Sequence, residues 1–488
     1  MKVNYLANLA YIVPELIVLL TMLLVLILEA TYSKRETSRS YPFVATVIGL
    51  FFALYALLHQ GQLEGTLIFT QGQVSDSFSI MMKFILILGT LGASYVAWSS
   101  KELYNNFQSE FLVLILGGLL GGMTLVSTQQ MLNLYVAIET LSILSYILAG
   151  LKKRDSRSIE AGLKYALYGG VSAGVMLFGL SHLYGLVGSL YFSDIAKALQ
   201  YLPVNELTLA IMALLFFFVG LAYKASLVPF HMWSPDVYEG SPFAVTTFFA
   251  IVPKLAALGI LARLSIQFFS FPGPLGEFWF SLLQVMSILT MTVGNITALG
   301  QKSVKRMLAY SSISHAGFML LAVVSSRQAD ISSLLFYGLA YFFMTVLAFS
   351  VVSFVSDEYG NDSYDRFNGL MKHHPFMSIL LVILMCSLGG LPPFSGFVAK
   401  FLVLSSLVSS GFYLLAIIGV LNSVISLYYY LRLVRVMVFS PSEAQEGLKS
   451  FSWDKQLYSY LLLVPVVFLG IFWNSFYHWF VQGTLFIQ

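Results

Sequence analysis

The sequence predicts an all-α, polytopic membrane protein of about fourteen transmembrane helices. Three observations carry that reading. The 488 residues are 58% hydrophobic and only 10% charged, whereas soluble domains run near 25% charged. Apolar runs of bilayer-spanning length recur along the whole chain. No alternating, barrel-type pattern competes with them.

The runs fall near 11–30, 42–58, 76–98, 110–127, 131–151, 160–187, 206–229, 241–263, 276–299, 307–324, 332–355, 376–410, 412–431 and 456–480. The first is too long for a signal-peptide core and lacks a small-x-small cleavage site, so it is expected to stay as a helix. "GGLLGG", Gly117 to Gly122, and Gly170 with Gly174 put small residues at helix-packing spacing. The seventh run enters "YKASLVPFHMWSP", where Pro229 and Pro235 interrupt it. The twelfth contains Gly389, Gly390, Pro392, Pro393 and Gly396. Proline removes a donor and blocks the carbonyl one turn back, so helices 7 and 12 are expected to be broken.

The two breaks resemble each other, "VPFHMW" at 228–233 and "PPFSGF" at 392–397, each with a lysine nearby. Paired broken segments in corresponding halves mark an ion pathway at a repeat interface. Helices 4–8 and 9–13 are odd in number, which makes two inverted five-helix repeats. The expected divisions are a three-helix segment at 1–109, repeats at 110–265 and 276–440, and helix 14 within 441–488.

A net charge of +3 and the lack of a long basic run argue against nucleic acid. Placing the 31–41 loop (Lys34, Arg35, Arg39) in the cytoplasm sends most loop cations there, including Lys101, Lys152, Lys302, Lys305 and Arg306. Lys2, Lys83, Lys197, Arg263 and Arg327 fall on the other face, with both termini. The lone cysteine, Cys386, excludes an internal disulfide or Cys-ligated cluster within this chain and reads as a small apolar core residue.

Four basic residues are left over from the loops, Lys164, Lys224, Lys254 and Lys400, and with Glu139 they are the informative charges of the spans. Charge at that depth is costly and marks function or a specific partner. A buried carboxylate near a lysine is pulled both ways, by lost hydration and by its neighbour's charge. Burial can also bring a lysine into the range where it exchanges protons. Lys164 lies only a turn or so inside its span and could instead reach the headgroups. His315, in "YSSISHAGF", is the histidine well inside a span and suits proton relay. His231 sits at the seventh break, where a structural role is equally open. His373 and His374 read as solvated loop residues. No metal-ligand spacing and no cofactor motif appears.

Several strings resemble the antiporter-like membrane subunits of respiratory complex I, within them the N type, or subunit 2. They are "IEAGLKY", "PFHMWSPDVYEGSP", "QKSVKRMLAYSSISHAGF" and "GGLPPFSGFVAKF". The resemblance covers about residues 80 to 440. It implies the inverted-repeat fold and a polar axis on which Glu139 pairs with Lys224. Lys254, His315 and Lys400 would then carry protons onward. It also implies an energy-transducing membrane and neighbouring subunits: an antiporter-like M-type subunit and small membrane subunits. NAD, FMN, iron–sulfur clusters and quinone would belong to partner subunits, with no cofactor here. An M-type subunit would carry a glutamate where Lys400 stands. An L-type subunit would extend beyond Gln488 in a long amphipathic helix.

The expected function is proton translocation coupled to electron transfer elsewhere in a NADH–quinone oxidoreductase. Two alternatives stand beside it: a subunit of a multisubunit sodium/proton antiporter, and a spacer that moves no ions.

Overall fold

The computed structural model describes residues 8–32, 40–60, 66–69, 71–103, 108–269, 271–327, 331–441 and 451–484. Lys2, Lys34, Arg35, Arg39 and Lys449 lie outside them. Thirteen described helices are long and apolar enough to cross a membrane. Two shorter apolar helices, Pro375–Gly389 and Ser395–Ser409, follow each other across one break and together make a further span. This gives the fourteen expected.

In chain order the spans are α1 (Val13–Tyr32), α2 (Ser40–Gln60), α3 (Ser77–Ser99), α4 (Gln108–Ser127), α5 (Met131–Ala149) and α6 (Ser156–Val187). Then come α7a (Leu207–Lys224) with α7b (Trp233–Gly240), α8 (Phe243–Phe269), α9 (Pro274–Leu299) and α10 (Val304–Ser325). The last are α11 (Ser332–Tyr359), α12a (Pro375–Gly389) with α12b (Ser395–Ser409), α13 (Tyr413–Phe439) and α14 (Trp453–Ile471). Between α2 and α3 the sequence reading missed a small antiparallel hairpin, Thr66–Ile68 with Gln73–Ser75. A short helix, Phe192–Gln200, precedes α7a and buries Phe192, Ile195 and Leu199 at helical spacing.

The last span is shorter than expected. α14 stops at Ile471 and a separate helix, Trp473–Thr484, follows. Gly470 packs directly on the backbone of Pro393 and Phe394 at the α12 break, leaving no room for a side chain. The packing glycines also differ in part. Gly117 and Gly121 lie close against α5, as expected, but Gly170 and Gly174 face open space. The close approaches of α6 are made by Gly162, against Gly150, Gly169, against Tyr146, and Gly179, against the α7a backbone.

α8, α10 and α11 are buried around almost their whole circumference, while α1 and α14 expose most of theirs. A helix apolar all round belongs at the centre of a bundle. The lysine and histidine of interest sit on two of these central helices.

Both predicted breaks occur, and both satisfy the backbone groups they free, as membrane depth requires. After α7a the chain turns through Ser226 in the left-handed region (φ 58). Leu227 N donates to Ala222 O (2.8 Å), and Val228 N donates to Thr290 Oγ1 on α9 (3.0 Å). α12a closes on Gly390 (φ 87). Gly390 N donates to Ser387 O and Leu391 N to Cys386 O, both 2.9 Å, the paired bonds of a Schellman turn.

Candidate functional site

Lys254 follows Pro253 within α8, and its side chain is buried. Nζ donates to Ser312 Oγ (2.8 Å) and Ser312 O (3.2 Å) on α10, and lies 5.7 Å from the Tyr238 ring centre. A lysine buried this deeply needs fixed partners, and α8 is held at both ends. Asp76 caps the start of α3 through Ser79 N and binds Arg263 near the end of α8. Glu102, just past the end of α3, accepts a bond from Phe243 N at the start of α8 (2.8 Å). The two ends of α3 therefore grip opposite ends of α8.

Glu102 also pairs with Lys152 (2.9 Å). Burial on its own would raise the Glu102 carboxyl, but Lys305 and Lys152 beside it and the Phe243 N–H hold it below the usual range. Lys305 in turn donates to Ser241 O, which ties α10 to the segment entering α8.

On α10, Ser311, Ser312 and His315 share one face. His315 Nδ1 meets Tyr337 OH (2.8 Å) and Nε2 meets Tyr430 OH (3.2 Å). Ser311 Oγ bonds the same Tyr430 hydroxyl. Ser311, Tyr430, His315 and Tyr337 thus form a bonded polar chain across α10, α11 and α13, and the Lys254–Ser312 contact lies beside it on the next residue of α10. The tyrosines and serines carried no sequence signal beyond being polar residues in apolar runs.

Lys400, on α12b, reaches back across the break. Nζ donates to Leu388 O and Gly389 O (both 3.0 Å), Ser423 Oγ (3.2 Å) and Ser426 Oγ (3.4 Å). It lies 5.1 Å from the ring centre of Phe318, one turn beyond His315.

The expected Glu139–Lys224 ion pair is not closed. Lys224 Nζ donates to Ser142 Oγ (3.1 Å) and Tyr165 OH (3.4 Å), and no described ion pair joins it to Glu139. Ser142 lies three residues beyond Glu139 on α5, so the lysine rests about one turn from the acid on hydroxyl acceptors. Glu139 is only half-buried. Lys164 stands apart from this network, bound to Glu160 (2.7 Å) and Asp236 (2.9 Å).

Other cations were misplaced in the sequence reading. Lys83 and Arg263, assigned to loops, are buried in ion pairs with Glu15 (2.6 Å) and Asp76 (2.7 Å). Both fall inside the runs 76–98 and 241–263, which was the available signal. Lys305 is buried too, because α10 starts three residues earlier than its apolar run. His374 is not solvated. It packs against the Phe451 ring (4.6 Å), and that burial lowers its pKa. Cys386 is half-buried, not in the core. Among the described residues no group of His, Cys, Asp and Glu could hold a metal ion.

Residues 128–426 match the family model described as NADH:quinone oxidoreductase/Mrp antiporter, transmembrane. The chain belongs to this family. All five axis residues, Glu139 to Lys400, fall inside the matched region. Among relatives of the NADH:quinone oxidoreductase/Mrp antiporter family, the chloroplast NAD(P)H-quinone oxidoreductase subunit 2 of Chlorokybus atmophyticus is 37% identical, covering 90% of this chain and 85% of that protein. A chain of respiratory complex I from Thermus thermophilus is 30% identical with a TM-score of 0.79, covering 95% of this chain and 98% of that one. The Mrp complex of Dietzia sp. shares the fold, with a TM-score of 0.82 at 21% identity, covering 98% and 96%.

Proposed function

We propose that this chain is a proton-translocating subunit in the membrane arm of a NAD(P)H–quinone oxidoreductase. The observation that carries the reading is the buried Lys254 held on Ser312 of α10, beside the bonded chain of Ser311, Tyr430 and His315 on the same helix. Support comes from subunit 2 of one such enzyme, which is 37% identical to the chain over 440 residues. In this reading Lys224 moves between its hydroxyl partners and Glu139, and the changed field alters the proton affinity of Lys254. Protons then pass along α10 toward Lys400. Moving one charge against 100 mV needs about 2.3 kcal/mol. A change of two units in a proton affinity supplies about 2.7 kcal/mol, so the scale matches.

Residues 110–265 and 276–440 act as two inverted repeats. Support comes from the position of the breaks, each in the fourth helix of its set (α7 in α4–α8, α12 in α9–α13). The arm places an M-type subunit and small membrane subunits beside this one, and hydride chemistry and quinone binding in other subunits. With an even number of spans, both termini lie on the face opposite the 31–41 loop. A sodium/proton antiporter subunit is the second reading, favoured by the fold shared with the Mrp complex.

The test compares Lys254→Ala and Lys254→Arg in the assembled complex, reading the proton-to-electron ratio in reconstituted vesicles. Arginine keeps the charge but cannot release its proton. Both variants should lose pumping. Wild-type coupling in the arginine variant would reduce Lys254 to a fixed counter-charge. Co-purification with antiporter subunits and no oxidoreductase subunits would favour the second reading.

A further inference from the structure

We infer that Tyr165 is a positioning residue that seats Lys224 away from Glu139, and that Trp233 and Tyr223 fix that seat in place. The inference deepens the proton-translocating reading above and rests on it. Tyr165 lies on α6, and its side chain is fully buried. Its hydroxyl accepts from Lys224 Nζ (3.4 Å), and Nζ stands 5.4 Å from its ring centre. The residue thus offers the ammonium group an oxygen and a π-system together, and the attraction of a cation to a ring strengthens where water is excluded.

The seat is held by a closed circuit of three aromatic residues. The Trp233 ring, on α7b, stacks on Tyr165 with 4.1 Å between ring centres and 8° between their planes. Trp233 Nε1 donates to Tyr223 O (3.1 Å), and Tyr223 OH donates to Tyr165 O (2.9 Å). Tyr146 and Phe249 meet the Tyr165 ring edge-on, at 5.0 and 5.4 Å. Tyr223 immediately precedes Lys224 at the end of α7a, and Trp233 opens α7b, so the circuit spans the break. A turn of the Tyr165 ring would have to move α7a or α7b with it.

Rigidity matters because the competition for the ammonium group is close. A carboxylate accepts the stronger, charge-assisted hydrogen bond. Bringing two opposite charges together in the interior costs hydration on both, and Glu139 keeps part of its own because it is only half-buried. A neutral acceptor competes well when it is already in place and nothing has to be ordered to meet the lysine. Ser142 is the nearer hydroxyl (3.1 Å), and Tyr165 is the one locked by its neighbours. An aromatic cluster that only filled space would need neither the Tyr165 hydroxyl nor the Trp233 N–H.

The experiment uses the whole complex with Tyr165→Phe, which keeps the ring, its stacking and the bond from Tyr223 and deletes only the hydroxyl. Two readouts are taken: the proton-to-electron ratio in vesicles at matched complex content, and the place of Lys224 Nζ in a high-resolution map. The seat requires the ratio to fall at least threefold and Nζ to move within ion-pair distance of the Glu139 carboxylate, about 4 Å. A wild-type ratio, or Nζ no nearer to Glu139, overturns it, since a packing role would move neither. Lys254→Ala run in parallel separates the two claims. Loss of pumping there with a wild-type ratio in Tyr165→Phe overturns the seat and leaves the function standing. A wild-type ratio in Lys254→Ala overturns the function, and the place of Nζ then decides the seat alone. Should Tyr165→Phe not assemble, Trp233→Phe, which keeps a ring on Tyr165 and removes the indole N–H, is read by the same two measurements.

Discussion

Arg263 and Asp76 form a two-pronged ion pair, with nitrogen–oxygen distances of 2.7 and 2.9 Å, between the end of α8 and the start of α3. Arg263 Nε also donates to Val126 O (3.2 Å), so one guanidinium binds three helices. Breaking a buried pair by removing one partner costs about 3–5 kcal/mol, whereas a neutral pair can be tolerated. Arg263→Gln should therefore sharply reduce the amount of assembled complex. Asp76→Asn combined with Arg263→Gln should recover most of it, because asparagine still caps α3. Complex content and the midpoint of thermal inactivation read this out. A single variant as stable as the double would show that the pair does not hold α8.

The stability contributed by Glu102 should depend on pH. Its carboxyl sits below its ordinary value of 4.5 because Lys305 and Lys152 outweigh the effect of burial. A depressed acid stabilises the fold above its unfolded pKa, and that contribution is lost as pH falls through the lower, folded value. Glu102→Gln should thus lower the thermal midpoint at pH 7. The gap from wild type should close as pH drops below about 4.5. Melting curves of both proteins from pH 7 to pH 3 measure it, and a constant gap would contradict the assignment.

Gly390→Ala should disturb Lys400 directly. Gly390 has φ 87, and an added Cβ would lie 3.0 Å from Lys400 Cδ. The left-handed conformation alone costs a non-glycine residue about 1–2 kcal/mol. Pumping should fall in the assembled complex, and a map should show Nζ displaced from Leu388 O and Gly389 O. Unchanged pumping with Nζ in place would count against the tightness of this turn.

Glu139→Gln should leave assembly intact and cut pumping severalfold. The acid is half-buried and carries no described ion pair, and Lys224 keeps its Ser142 and Tyr165 hydroxyl partners when the acid is neutralised. A packing residue would behave the other way, changing complex content and leaving the proton-to-electron ratio alone.

The spans, both breaks and the lysines of the axis were legible because each depends on local sequence. Length and apolarity set the spans, proline and glycine set the breaks, and Lys254 and Lys400 are charges in oily runs. What was not legible depends on which helices meet. Tyr430 and Tyr337 look like ordinary aromatic residues until α11 and α13 bring their hydroxyls to the two nitrogens of His315. Lys83 and Arg263 were assigned to one face by the asymmetry of the basic residues, and their acids, Glu15 and Asp76, lie too far away in the chain to show the pairs locally. The Glu139–Lys224 pair was what the family resemblance implied. The position of Ser142, one turn from Glu139, gives the lysine an uncharged acceptor that sequence could not rank against the acid.

The end of α12a leaves four carbonyls without partners inside the helix. Gly390 N and Leu391 N close over those of Ser387 and Cys386, and Lys400 Nζ closes over those of Leu388 and Gly389. The ammonium group is thus half of the helix's stopper as well as its charge. An ammonium has three donors to give, and a neutral amine has fewer and no charge to set against the negative end of the helix dipole. Under the proposed function, a Lys400 that gave up its proton would take away part of the half-helix's ending and leave the break freer to change shape. A chemical event there would become a mechanical one within a single side chain.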